Sequence, residues 1–190
     1  MLGPQGSGKG TQAKRINAVY GIPHIATGDM IRSMMERDTE LGREVRAVYD
    51  RGDLVSDQLM IELIRDRLSR GDTLGGFVLD GFPRTMAQAE ALDQLLRELE
   101  RRLDIVFDFQ VPDENELLQR MLKRAAEENR SDDTPEAIRR RLELFDEVTA
   151  PLIEYYRSTQ GNVVGIHADR SIEEVFHEIE QSLSSVEART

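Results

Sequence analysis

The chain has 190 residues, of which 36 are acidic and 25 basic, leaving a formal charge of −11. With 39% hydrophobic and 32% charged residues it has the length of one domain and the composition of a soluble, helix-rich globule, which excludes a disordered tract or a membrane-embedded bundle. The acidic surplus argues against nucleic-acid polymers as partners, because counterion release needs a broadly basic surface.

Hydrophobic periodicity predicts helices over 8–20, 28–37, 40–50, 57–70, 85–101, 113–128, 134–158 and 171–185, with short buried strands at 23–26, 76–79, 105–111 and 163–167. Strands alternating with helices predict an α/β fold, a parallel sheet flanked by helices on both faces. Residues 28–70 offer successive helices with no strand between them, which predicts an all-helical insertion hung on the sheet. A second excursion at 125–134 breaks the apolar pattern and ends in a helix-start signal, Thr134 before Pro135. Cysteine is absent, so disulfides, a thiolate nucleophile and a Cys-type zinc site are excluded. No apolar run approaches the roughly 20 residues of a membrane span and no signal pattern opens the chain, so the cytoplasm is the expected location.

Four segments carry chemistry. The first is Gly3-Pro-Gln-Gly6-Ser7-Gly8-Lys9-Gly10-Thr11 before a helical pattern. Such a loop turns backbone N–H groups around phosphate oxygens, aims a helix N-terminus at the same anion and lets Lys9 reach the outer phosphates. Here the hydroxyl comes one place late, at Thr11 after Gly10. The second, Gly76-Phe-Val-Leu-Asp80-Gly-Phe-Pro-Arg84, puts a carboxylate at a strand's C-terminal end, where Asp80 either holds hydrated Mg²⁺ or caps a turn. In the third, Thr27-Gly-Asp-Met-Ile-Arg32, Asp29 reads as a helix cap, the nearby Met30, Met34 and Met35 as packing, and Arg32 as a ligand. The fourth is the stretch 120–141, which holds seven basic and five acidic residues in an otherwise acidic chain. Arg139 and Arg140 read as a solvated helix face, while Arg141 lies at the border of the buried face, where an anion cleft has use for it. Of 25 basic residues 22 are Arg, whose fork suits phosphates, although from totals alone a compositional habit is the simpler reading. His24, His167 and His177 have no partner at a suggestive spacing and read as structural.

These motifs, in this order, resemble the adenylate kinase family over nearly the whole chain: Gly-Pro-Gln-Gly-Ser-Gly-Lys-Gly-Thr-Gln, Thr-Gly-Asp-Met-Ile-Arg, Asp-Gly-Phe-Pro-Arg followed by Gln88, Arg-Ser-Asp-Asp-Thr and Thr-Ala-Pro-Leu-Ile-Glu-Tyr-Tyr. The resemblance implies a P-loop kinase fold with a core of 1–25, 56–122 and 134–190, an AMP-binding insertion at 26–55 and a short lid at 123–133 without the zinc-type insertion. It implies transfer of the terminal phosphate of ATP to AMP to give two ADP, with Mg²⁺ beside Asp80, no structural zinc, and a monomer. Gly6, Ser7, Gly8, Lys9, Gly10, Thr11 and Arg124 then hold ATP. Thr27, Arg32, Asp53, Leu54, Val55, Gly81, Phe82, Pro83, Arg84 and Gln88 form the AMP site. Arg130 and Arg141 reach the phosphates at the point of transfer, so the catalytic set is Lys9, Arg84, Arg124, Arg130 and Arg141. The acidic lid positions are Asp132 and Asp133.

Two departures stand out. Arg170 occupies a place beside the ATP adenine where many members have Gly, which predicts stacking on the base. Only Met1 and Leu2 precede Gly3, where the family has a buried strand; either the sequence starts inside a longer chain or the sheet lacks its central strand. Rival readings are a UMP or CMP kinase and a nucleotide-binding module with little turnover; Thr27 and Gln88 favour AMP over the first, and a second nucleotide pocket around Arg32, Arg84 and Gln88 argues against the other.

Overall fold

The computed structural model describes residues 1–128, 130 and 132–187. Asn129 and Ser131, within the predicted lid and the Arg-Ser-Asp-Asp-Thr motif, lie outside the described residues. In chain order the elements are α1 (Lys9–Tyr20), β1 (His24–Ala26), α2 (Thr27–Met35), α3 (Glu40–Tyr49), α4 (Asp57–Leu68), β2 (Val78–Asp80), α5 (Met86–Glu98), β3 (Val106–Gln110), α6 (Glu114–Glu128), α7 (Pro135–Leu144), α8 (Pro151–Thr159), β4 (Val163–His167) and α9 (Ile172–Glu187).

The strands form two parallel pairs. β1 runs beside β2 with Ala26 opposite Asp80, and β3 beside β4 with Phe109 opposite Ile166. Parallel neighbours need long crossovers; α2 to α4 supply one and α6 to α8 the other. Between β2 and β3 the described chain places Met1 and Leu2. The Leu2 N–H donates to Phe107 O at 2.8 Å, Phe109 N–H donates to Leu2 O at 2.9 Å, and the Met1 amine donates to Leu79 O at 2.9 Å. Behind these two residues a cavity of about 640 Å³ opens between Phe77, Leu79, Ile105, Phe107 and Tyr156. The Tyr156 hydroxyl is buried there without a hydrogen-bond partner.

Helices α2 to α4, which follow one another with no strand between them, share a core with the β1–β2 pair. Val45 and Tyr49 of α3 fall four apart on one face and pack with Ile31, Met60, Ile64, Leu79, Phe82 and Leu92. Met30, Met34 and Met35 lie against the same cluster. Thr39 caps α3 by accepting from Gly42 N–H at 3.0 Å, and Thr134 caps α7 by accepting from Ala137 N–H at 3.2 Å, with Pro135 pre-set for the first turn.

The helix expected over 134–158 is broken. After α7 the backbone widens over Phe145–Thr149, where Ala150 N–H bonds to Phe145 O at 2.7 Å. Pro151 has no N–H to continue the ladder, so the chain restarts as α8. The Thr149 hydroxyl in the widened turn donates to Arg84 O at 2.9 Å, tying the turn to the residue that follows β2. At 125–128 there is no break: α6 continues to Glu128.

Candidate functional site

The phosphate-type loop lies where β2, β3 and α1 converge. Gly6 has φ of 84°, and a Cβ there would come within 2.9 Å of Leu117 O, so both backbone shape and space require glycine. Lys9 opens α1, and its ammonium donates to Gly3 O and Pro4 O at 2.6 Å and to Ser7 Oγ at 3.2 Å. Burial pushes the Lys9 ammonium down from 10.5 to about 8; Asp80 opposes that shift, and Arg84 and Arg124 add to it by repulsion.

Asp80 closes β2 and faces the loop. Its Oδ2 lies 3.1 Å from His24 Nε2. A Cβ on Gly10 would come within 3.3 Å of the same oxygen, a tight contact that Asp80 would have to yield to. Burial works against the charged carboxylate, but the His24 hydrogen bond and the Lys9 charge hold it below the usual carboxylate range. A carboxylate kept anionic beside a phosphate-type loop suits a hydrated divalent cation, and Gly10 leaves the space open.

One cleft of about 630 Å³ is lined by Gly6, Gly8, Lys9, Gly10, Thr11, Arg32, Asp80, Gly81, Pro83, Arg84, Arg124, Arg130 and Arg141. Nine cationic side chains line it, Lys14, Arg120 and Lys123 besides the six just named. Each of those six has an internal acceptor. Arg32 pairs with Asp29, so Asp29 is an ion-pair partner rather than the cap of α2, whose cap residue is Ala26. Arg84 Nε donates to Gly81 O at 2.9 Å, and burial together with the nearby Arg141 charge lowers its affinity for its proton, against the pull of Tyr49 and Asp80. Arg130 Nε donates to Glu128 at 2.6 Å. Arg124 Nε donates to Asp133 at 3.0 Å, while Arg141 donates to Asp133, to Asp132 at 3.0 Å and to Tyr49 O at 3.2 Å. Arg141, Asp132 and Asp133 are all buried, a cluster stable only because each charge is matched.

A second, small cavity of about 20 Å³ gathers Thr27, Asp53, Leu54, Val55, Gly81, Arg84 and Gln88. It shares Gly81 and Arg84 with the cleft. Each end of the Gln88 amide has a partner, with one N–H and one lone pair left over: its Oε1 accepts from Arg84 N–H at 2.8 Å and its Nε2 donates to Asp57 at 2.8 Å. Three predicted site residues are not brought to either volume by their side chains. Ser7 is buried beneath the loop, the Phe82 ring packs in the core after β2, and Arg170 is exposed in the turn after β4.

Sequence reasoning missed several residues around the site. Arg120 donates to Ala168 O at 3.0 Å and Gly6 O at 3.5 Å, joining the loop to the end of β4. His24, read as structural, touches Asp80 because the parallel register sets it two residues back on the adjacent strand. Arg140, read as part of a solvated face, pairs with Asp53 across 87 positions of sequence. Asp57 and Tyr49 gave no signal at all, since their roles are to accept from Gln88 and to lie under the Arg141 guanidinium, 4.9 Å from its ring centroid.

Comparison with known proteins adds independent observations. A sequence model of the family described as adenylate kinase matches residues 1–161. A protein named adenylate kinase from Maricaulis maris is 50% identical over 175 residues, covering 92% of each chain. Its namesakes from Leptospira biflexa and Thermobifida fusca are 47% and 45% identical, with 96% and 97% of this chain covered and 97% of each relative. Among the described residues no helix is long and apolar enough to cross a membrane.

Proposed function

The chain belongs to the adenylate kinase family, enzymes that transfer the terminal phosphoryl group of ATP to AMP and yield two ADP, and we propose that its cation-lined cleft is where that transfer takes place. The observation that carries the reading is the convergence of Lys9, Arg32, Arg84, Arg124, Arg130 and Arg141 on one volume that also holds Asp80. A slowly hydrolysing switch has no use for cations on both sides of a phosphate loop.

In this reading the loop from Gly6 to Thr11 cradles the donor's phosphates, with the N-terminus of α1 and Lys9 directed at them. The acceptor lies toward Arg32 and Arg84, its base directed between Thr27, Val55 and Gln88, where the cavity of about 20 Å³ must widen to admit it. Gln88 is already oriented there by Arg84 and Asp57. The phosphate of AMP is an anion and a ready nucleophile, so the protein supplies no strong base; it aligns donor and acceptor and offsets charge on the group in flight. Arg84, Arg124, Arg130 and Arg141 are suited to that because guanidinium forks bind planar oxygen pairs without deprotonating. Asp80 would hold Mg²⁺ through its water shell, and the ion, when bound, offsets phosphate charge. The cleft is complete within one chain, which supports action as a monomer. Water is the competing acceptor, and the segment 123–133 closing over the donor excludes it.

A coupled assay with ATP and AMP, UMP or CMP in turn, with and without Mg²⁺, tests the reading. ADP formation that depends on AMP and Mg²⁺ is the expected result. Preference for UMP or CMP overturns the acceptor assignment, and no product with any monophosphate overturns the kinase reading.

A further inference from the structure

α7 does more than carry Arg141 into the cleft. Positions 137, 140 and 141 share one helix face, and all three meet the corner between α3 and α4. Gly52, at φ of 82°, fits so closely beneath α7 that a Cβ would come within 2.4 Å of Ala137 O. Arg140 Nε donates to Asp53 Oδ1 at 3.1 Å, and Arg141 donates to Tyr49 O at 3.2 Å. The corner continues directly into Leu54 and Val55, which line the small cavity beside Gln88.

These contacts differ in what happens to them when nucleotide arrives. Arg141 faces the cleft, and reacting phosphates compete for its guanidinium with Tyr49 and the two aspartates. The Ala137–Gly52 contact is apposition without a bond. Arg140 and Asp53 are both partly exposed; Arg140 lines neither the cleft nor the small cavity, whereas Asp53 lines the small cavity. Hydrogen bonds from Arg140 and Arg51 hold the Asp53 carboxyl below its usual range, so it is charged whenever the protein is folded near neutral pH. We propose that Arg140 is a positioning residue: through Asp53 it latches the α3–α4 corner onto α7 and so sets the affinity for the acceptor monophosphate independently of the donor. The proposal rests on the reading that the cavity beside Leu54, Val55 and Gln88 takes the acceptor base.

The test uses the full chain and its Arg140→Ala, Arg140→Lys, Asp53→Ala and doubly substituted forms. Steady-state constants for AMP and ATP are measured with calorimetric AMP binding, at low and high salt. A half-exposed ion pair gives an effect of about threefold. Arg140→Ala is expected to raise KM and Kd for AMP by that factor without lowering kcat or moving KM for ATP. Arg140→Lys should recover part of the loss. The double variant should be no worse than Asp53→Ala alone, because Arg140 acts only through Asp53, and high salt should shrink the difference between variant and parent. Equal rises in both KM values, a fall in kcat at unchanged KM for AMP, or additive losses in the double variant overturn the latch. If the unmodified protein neither binds AMP nor turns it over, the acceptor assignment fails first and the latch falls with it.

Discussion

Arg141→Ala separates catalysis from stability most cleanly, because the proposed function gives the residue a part in the first and its buried ion pairs give it a part in the second. On the catalytic side it removes a preorganised donor to the charge on the transferring group, a change worth on the order of 10²-fold in kcat, or about 2.7 kcal/mol of barrier. On the stability side it strips Asp132 and Asp133 of a buried partner. Breaking a buried ion pair costs roughly 3–5 kcal/mol. Asp133 keeps its hydrogen bond from Arg124, so the lower end applies. For a chain of this size each kcal/mol moves Tm by roughly 2–4 °C, which gives a fall of about 6–12 °C.

The two effects are read apart by measuring turnover well below the lower transition, with circular dichroism confirming that the variant is folded at the assay temperature. Arg141→Lys is the companion. It keeps a charge near both aspartates and should recover much of the stability, yet it loses the fork and should stay at least tenfold slow. Turnover within about threefold of the parent in a folded Arg141→Ala protein would refute the role in charge stabilisation. So would a loss of activity that merely follows the unfolded fraction.

Lys9 predicts a proton-linked binding step. Burial sets its ammonium near 8; bound phosphates raise that value, so above about pH 8 nucleotide binding takes up a proton and weakens as pH rises. Calorimetry in buffers of different ionisation heat at about pH 8.5 should show net uptake, and release would contradict it. The same depression means that between about 8 and 10.5 the unfolded chain holds more protons at Lys9 than the folded one, so this group's contribution to stability grows with pH over that window. Filling the 640 Å³ cavity with a short apolar strand fused ahead of Met1 should raise Tm by several degrees, since each fully buried large aliphatic residue contributes about 1.5–3 kcal/mol against an ordering cost of about 1–2. An unchanged Tm would mean that the free edges of β2 and β3 do not accept it.

What the sequence made legible follows from how the candidate site is encoded. The proposed phosphate loop needs several residue types in consecutive order, so Gly6 to Thr11 and the strand-end Asp80 stand out locally. The helical insertion was legible for the same reason: an amphipathic period is a short-range pattern. Contacts made by register or by long-range docking leave no such mark. His24 meets Asp80 only because β1 and β2 pair in parallel with Ala26 opposite Asp80. Arg140 and Arg141 are adjacent in sequence but about 100° apart around α7, and nothing local distinguishes the one that meets Asp53 from a solvated arginine. The interruption at Phe145–Thr149 was half legible, since Pro151 forbids continuation while the widened turn before it depends on Thr149 reaching Arg84.

The acid surplus has a local meaning as well as a global one. Cations gathered around one volume repel; burial is the main cause of the depressed Lys9 value, and the Arg84 and Arg124 charges add to it. The protein offsets these cations with carboxylates from Asp29, Glu128, Asp132 and Asp133 and with carbonyls of Gly3, Pro4 and Gly81. Nucleotide phosphates must therefore replace acceptors that already exist, an exchange closer to balance than binding into a bare cationic pocket. Such a site holds its ligands less tightly and releases product sooner. Asp133→Asn tests this, because it keeps the shape and one acceptor oxygen but removes the charge that competes for Arg124 and Arg141. The expected result is a lower KM for nucleotide together with a lower kcat, the pattern of a ground state bound too well. A higher KM at unchanged kcat would show instead that Asp133 only orients the two arginines, and that the internal acceptors are scaffolding rather than competitors.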